Sequence, residues 1–169
     1  MWLLCTGQPS CGKTTLVKKA LDHIIEWRDS RNHAPAVSGF YTDEVLDASG
    51  RRVGFDIVGI ASGKRGVLAR KGSLPSSYPK TGQYSVDVAS FEAVALAELD
   101  ILQSSSSITR KDGDKGGTSQ IIIIDEIGRM ELHSNKFEAA VEKLLHQPNI
   151  LVVGAITAAI SQRRHRHGC

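Results

Sequence analysis

The sequence has little that would tie it to an oxidising compartment, a membrane or a polyanion. Its three cysteines, Cys5, Cys11 and Cys169, are odd in number and form no C-x-x-C pair, so a disulfide framework is not expected and a reducing, cytoplasmic setting is. No apolar run approaches the roughly 20 residues that a membrane span requires, and the short apolar N-terminus lacks the basic flank of a signal peptide. Excess charge is missing too. The formal +3 is contributed by Arg163, Arg164 and Arg166, and the other Lys and Arg balance the 18 Asp and Glu. Neither a membrane nor a nucleic acid is therefore expected as a partner. The 169 residues suffice for one domain that buries about two-thirds of the surface its unfolded form exposes, with no metal or disulfide needed to hold it.

What the chain does have is GQPSCGKTT, Gly7 to Thr15, between the apolar run Trp2 to Cys5 and an amphipathic pattern. Gly7 and Gly12 free the backbone to turn consecutive N–H groups inward as a nest for nucleotide phosphates. Lys13 adds a positive charge, the Thr14 hydroxyl is a Mg²⁺ ligand, and the positive end of the following helix faces the same anion. The expected nucleotide-binding set is Gly7, Gln8, Pro9, Ser10, Cys11, Gly12, Lys13, Thr14 and Thr15, with Lys13 also catalytic.

Leu16, Val17, Ala20, Leu21, Ile24 and Ile25 then recur at helical spacing. Residues 36–42 read as a strand, and 44–58 as a β-hairpin around the turn cluster Asp47 to Gly50. Rich in Gly, Ser, Lys and Pro, residues 59–82 suggest a mobile loop region around a short strand at Val67 to Ala69. Arg65 and Arg70 lie there as candidate transition-state cations, of which phosphoryl transfer needs only one. A second helix carries Phe91, Val94, Ala95, Leu99 and Leu102, capped by Asp87 or Ser90. Residues 103–120 hold too little apolar surface to order themselves.

Ile121 to Ile124, followed by Asp125 and Glu126, has the pattern of a buried parallel strand that delivers two carboxylates at its C-terminal end, where such sheets bind ligands. Asp125 is the candidate Mg²⁺ ligand opposite Thr14, and Glu126 the candidate base that orients and deprotonates a water. A last helix, with Phe137, Ala140, Val141, Leu144 and Leu145 inward, leads to the strand 150–156. The expected fold is α/β, a three-layer P-loop NTPase sandwich with a mainly parallel sheet and a β-hairpin insertion. It forms one domain over 1–157, with a basic disordered tail over 158–169. His165 and His167 receive no role.

GQPSCGKTTL, SGFYTDEV, GRRVGFDIV, GQYSVDVASFE and IDEIGRMEL together closely resemble the cancer-related nucleoside-triphosphatase family. The resemblance spans Met1 to Thr157 and implies Mg²⁺-dependent hydrolysis of ATP, GTP and other nucleoside triphosphates to diphosphate and phosphate. Lys13 and Thr14 become the phosphate and Mg²⁺ ligands, and Asp125 and Glu126 the Walker B pair. Three positions depart from the family pattern. Ser10 stands where glycine is usual, Leu46 replaces an arginine, and the chain after Thr157 reads as a truncated or altered terminus that would leave a sheet edge unpaired. Two alternatives stay open at this point: a nucleotide or small-molecule kinase, and a nucleotide-binding module without turnover. A monomer is favoured.

Overall fold

The computed structural model describes residues 1–8, 10–31, 35–104 and 120–157. The chain runs β1 (Trp2–Gly7), α1 (Lys13–Asp29), β2 (Ala36–Leu46), β3 (Arg52–Gly59), β4 (Arg65–Arg70), β5 (Lys80–Thr81), β6 (Tyr84–Val86), α2 (Val88–Ser104), β7 (Gln120–Ile127), a 3-10 turn (Glu131–His133), α3 (Asn135–Leu145) and β8 (Ile150–Thr157). The strands form one sheet in the order β1-β8-β7-β2-β3-β4-β6-β5. From β1 to β2 every pairing is parallel, and from β2 to β5 every pairing is antiparallel.

The alternation along β7 explains the three layers. Ile121 and Ile123 face α1, where they pack with Val17, Leu21, Val37, Val153 and Ala155. Ile122 and Ile124 face α2 and α3 across the sheet. All four isoleucines are at most 5% exposed, as a parallel strand covered on both faces requires. On the α2/α3 side Phe40, Phe91 and Phe137 meet edge to face, with centroids 5.2 to 5.7 Å apart. One aromatic cluster thus joins β2, α2 and α3.

The expected three-layer α/β sandwich is the fold observed, but its sheet is mixed. The hairpin is no separate insertion: β2 runs unbroken through residue 46, pairing with β7 along its first half and with β3 beyond. Residues 59–82, expected as a loop region around one short strand, need a larger correction. They hold β4, six residues long and paired to both β3 and β6, together with β5. Composition hid this because the order comes from elsewhere in the chain. Ser90 Oγ accepts from Val67 N–H at 2.8 Å, and the flanking arginines are neutralised by acids of β2 and β3.

Two helix expectations also change. Leu145, placed inward by periodicity, is 42% exposed, and Leu16 is 57% exposed. Each lies at the rim of its helix's apolar stripe, past the reach of the sheet. Asp87 is the cap of α2, accepting from Ser90 N–H at 2.9 Å. The stretch 103–120 contributes its ends to α2 and β7, and its remainder, 105–119, lies outside the described residues, as does the tail 158–169. Among the described residues β1 is the edge strand on the parallel side of the sheet, with Leu3 64% exposed. No helix among them is long and apolar enough to cross a membrane.

Candidate active site

The parallel strands β8 and β7 end beside the loop that follows β1, with β2 running past the end of β7, and this end of the sheet gathers the polar side chains. The loop turns on two residues of positive φ, Ser10 at 62° and Gly12 at 91°. Gly12 is the N-cap residue of α1, and no side chain caps the helix there. Its first turn contains no acidic residue either. The other two helices are closed at this end: Asp87 caps α2, and Ser134 Oγ accepts from Phe137 N–H of α3 at 3.0 Å. The first N–H groups of α1 are thus left for an external anion, in the field of the helix dipole.

Lys13 opens α1 and folds back over the loop. Its ammonium donates to the carbonyls of Gly7 at 3.2 Å and Gln8 at 3.1 Å, and lies 3.6 Å from Glu126 Oε1. The loop and the acidic end of β7 therefore meet at one point, although more than a hundred residues separate them. Burial pushes the Glu126 carboxyl above its ordinary value; Lys13 opposes this and Asp125 adds to it. A carboxylate shifted that way is a better proton acceptor near neutral pH.

Asp125 is fully buried. Its Oδ2 accepts from Thr42 N–H at 3.0 Å and from Thr42 Oγ1 at 2.5 Å, which ties β7 to β2. Its Oδ1 is buried with no hydrogen-bond partner. An unmatched carboxylate oxygen inside a protein is costly, and a cation or a metal-bound water would satisfy it.

A family model described as NTPase matches residues 2–167. The chain belongs to the NTPase family. It is 42% identical over 155 residues to the cancer-related nucleoside-triphosphatase homolog of Bos taurus, a match covering 89% of this chain and 72% of the relative. Among solved structures it resembles the crystal structure of THEP1 from the hyperthermophile Aquifex aeolicus, with a TM-score of 0.71 at 32% identity, covering 98% of this chain and 84% of that one. It also resembles the solution structure of a human cancer-related nucleoside triphosphatase, with a TM-score of 0.65 at 36% identity, covering 98% and 83%.

Within this NTPase fold the residues expected at the site divide into groups. Gly7, Gln8, Ser10, Cys11, Gly12, Lys13, Thr14 and Thr15 form the loop and the first turn of α1, while Pro9 lies outside the described residues. Asp125 and Glu126 join them from β7. Arg65 and Arg70 stand at the two ends of β4 and are held by acids. Arg65 pairs with Asp43 at 2.6 Å and Asp56 at 3.0 Å. Arg70 pairs with Asp56 and donates to the carbonyls of Phe55 at 2.7 Å and Ala69 at 2.9 Å.

Sequence reasoning overlooked several neighbours. Thr42 lay within a quoted motif, but only the pairing of β2 with β7 sets it against Asp125. Lys18 of α1, outside the apolar set read from the sequence, pairs with Asp43 and stands 4.5 Å over the ring of Tyr41. These residues border a cavity of about 550 Å³ whose apolar walls include Leu21, Ile25 and Ile60. Glu131 was also overlooked, although it lay within the quoted stretch IDEIGRMEL, between the apolar Met130 and Leu132.

Proposed function

We propose that the chain hydrolyses nucleoside 5′-triphosphates to the diphosphate and phosphate. The observation that carries this reading is the meeting of Lys13 with Glu126, which sets a phosphate cradle against a carboxylate of raised proton affinity. The uncapped first turn of α1 and the loop amides receive the phosphate oxygens, and Lys13 moves from the loop carbonyls to the phosphate charge. Glu126 orients a water for attack on the γ-phosphorus and takes its proton. The bond from that phosphorus to the β–γ bridging oxygen breaks, and the diphosphate leaves with that oxygen.

Thr14 and Asp125 Oδ1 are the residues that would hold Mg²⁺, and the unpartnered buried oxygen supports this choice. Such an ion supplies charge neutralisation across the phosphate oxygens. ATP and GTP are the expected substrates, with broad tolerance of the base. Cytoplasm is the proposed compartment, in keeping with the free thiols of Cys5 and Cys11. We take residues 1–157 as one catalytic domain acting as a monomer. Nothing in the fold or the relatives favours the kinase or the non-turnover alternative.

Phosphate release from a panel of nucleoside triphosphates tests the reading. Lys13→Ala abolishes turnover, and Glu126→Gln slows it by about 10² to 10⁴ with binding of a non-hydrolysable analogue retained. Full-rate turnover by the glutamine variant would remove Glu126 from the mechanism.

A further inference from the structure

Beside Glu126 lies a second carboxyl group that the hydrolysis described above does not use. Glu131 opens the 3-10 turn after β7 and is 5% exposed. A glutamate so buried is costly unless its carboxyl is hydrogen-bonded and uncharged. Burial raises its pKa to about 8, with Glu126 and Asp125 adding to the rise and the nearby backbone amides of Glu131 and Gly128 opposing it.

Gly128 is the point where the two glutamates converge. A Cβ built there would lie 2.7 Å from Glu131 Oε2, 3.2 Å from Glu126 Cγ and 3.3 Å from Glu126 Cδ. Both side chains therefore close over the same Cα, and a side chain added there would press on the two glutamates. The turn is fixed at its far end as well. Leu132 N–H donates to Gly128 O at 3.1 Å and Ser134 N–H to Glu131 O at 3.0 Å, and Ser134 then caps α3.

Glu126, by contrast, has several torsions to hold and a single loose ion pair at 3.6 Å. Once Lys13 turns to a phosphate that restraint goes, while the surface formed by Gly128 and Glu131 stays against its stem.

We propose that Glu131 is a positioning residue for Glu126: by binding the Gly128 amide it closes the 128–131 turn against the Glu126 side chain and holds that carboxylate at the phosphate loop. This rests on Glu126 acting as the base. A displaced base loses rate in the chemical step without loss of substrate affinity, and a displacement of about 1 Å can cost on the order of a hundredfold.

Four variants test this: Glu131→Met, which keeps the volume and removes the acceptor, Glu131→Gln, which keeps an acceptor oxygen, Gly128→Ala, which sets a methyl against the Glu126 stem, and Glu126→Gln. For each, kcat and KM for phosphate release, the Kd of a non-hydrolysable nucleoside triphosphate and Tm are measured. Glu131→Met is expected to lower kcat at least tenfold with Kd unchanged within threefold, and Glu131→Gln to recover most of the loss. Gly128→Ala is expected to reproduce the kcat defect, and it keeps the idea open to refutation if the methionine variant does not fold. In a Glu126→Gln background, adding Glu131→Met should cost nothing further in kcat. A fall in Tm with kcat intact would make Glu131 purely structural and overturn the proposal, as would losses that multiply in the double variant. If Glu126→Gln itself turns over at full rate, the base assignment fails and the positioning role fails with it. A slow Glu126→Gln beside a normal Glu131→Met sinks only the positioning role.

Discussion

Removing the carboxylate of Glu98 should loosen the antiparallel half of the sheet from α2. Glu98 lies in the middle of α2 and is fully buried. Its Oε2 accepts from Ala61 N–H at 2.9 Å and from Gly39 N–H at 3.3 Å, and its Oε1 accepts from Ser62 N–H at 2.9 Å. One side chain thus satisfies three backbone donors, one in β2 and two in the turn between β3 and β4. A hydrogen bond to a charged group contributes about 1.5–3 kcal/mol net, and a buried donor left unmatched costs about 1–3 kcal/mol. In Glu98→Gln the amide oxygen can keep the two donors on one side, while the NH₂ is turned against Ser62 N–H. The expected loss is about 2 kcal/mol. Glu98→Ala frees all three donors and opens a cavity, for a loss of about 4 kcal/mol or more. At about 2–4 °C per kcal/mol for a chain of this size, Tm should fall by about 4–8 °C in the glutamine variant and about twice that in the alanine variant. Differential scanning calorimetry and urea unfolding measure both. A glutamine variant as stable as the parent would show that the three donors find water or other partners, and would refute the idea that Glu98 clamps the sheet.

Three other outcomes follow from particular residues. Ser10 holds φ at 62°, a strain of roughly 1–2 kcal/mol for a residue with a Cβ; Ser10→Gly relieves it but adds about 0.4–1 kcal/mol of unfolded-state freedom. A small rise in Tm is expected, and a fall would show that the serine side chain contributes to the loop. Glu131 has a folded pKa raised from 4.5 to about 8, so its contribution to stability is complete below 4.5 and is lost as pH rises through about 8. Glu131→Gln should therefore lose less stability across that window than the parent, and parallel curves would contradict the shift. Arg70→Ala takes one donor from two carbonyls and leaves the largely buried Asp56 with Arg65 alone, and should cost about 2–3 kcal/mol. Arg65 is half-exposed, and Arg65→Ala should cost under about 1 kcal/mol. An Arg70→Ala variant with normal Tm and lowered kcat would point to a role at the transferred phosphate instead.

Local signals were legible wherever the physics is local. The phosphate loop needs glycine at a left-handed position and a helix directly after it, and both are read within a few residues of Gly12. Four isoleucines ahead of Asp125 and Glu126 describe a strand covered on both faces wherever it sits in the sheet. The turn after β2 is likewise written in Asp47, whose Oδ1 accepts from the N–H groups of Ser49 and Arg51. The cap Asp87 belongs to the same class, because donor and acceptor lie three residues apart.

Tertiary structure decided what depends on partners far along the chain. β4 looked like a strand of three residues inside a loop because the groups that order its ends, Ser90, Asp43 and Asp56, lie in other elements. The same pairings place Arg65 and Arg70 on a strand in salt bridges, a setting that no local pattern encodes. Thr42 meets Asp125 only through the register of β2 on β7, and Glu131 meets Glu126 only because the chain folds back at Gly128. The sequence by itself therefore determined that a phosphate cradle and an acidic pair exist, since each is a short-range pattern of backbone freedom and burial. How the acids are oriented, which of their oxygens stay unmatched and which carboxyl braces the other were left to the fold, because those contacts join elements that become neighbours only when the sheet closes.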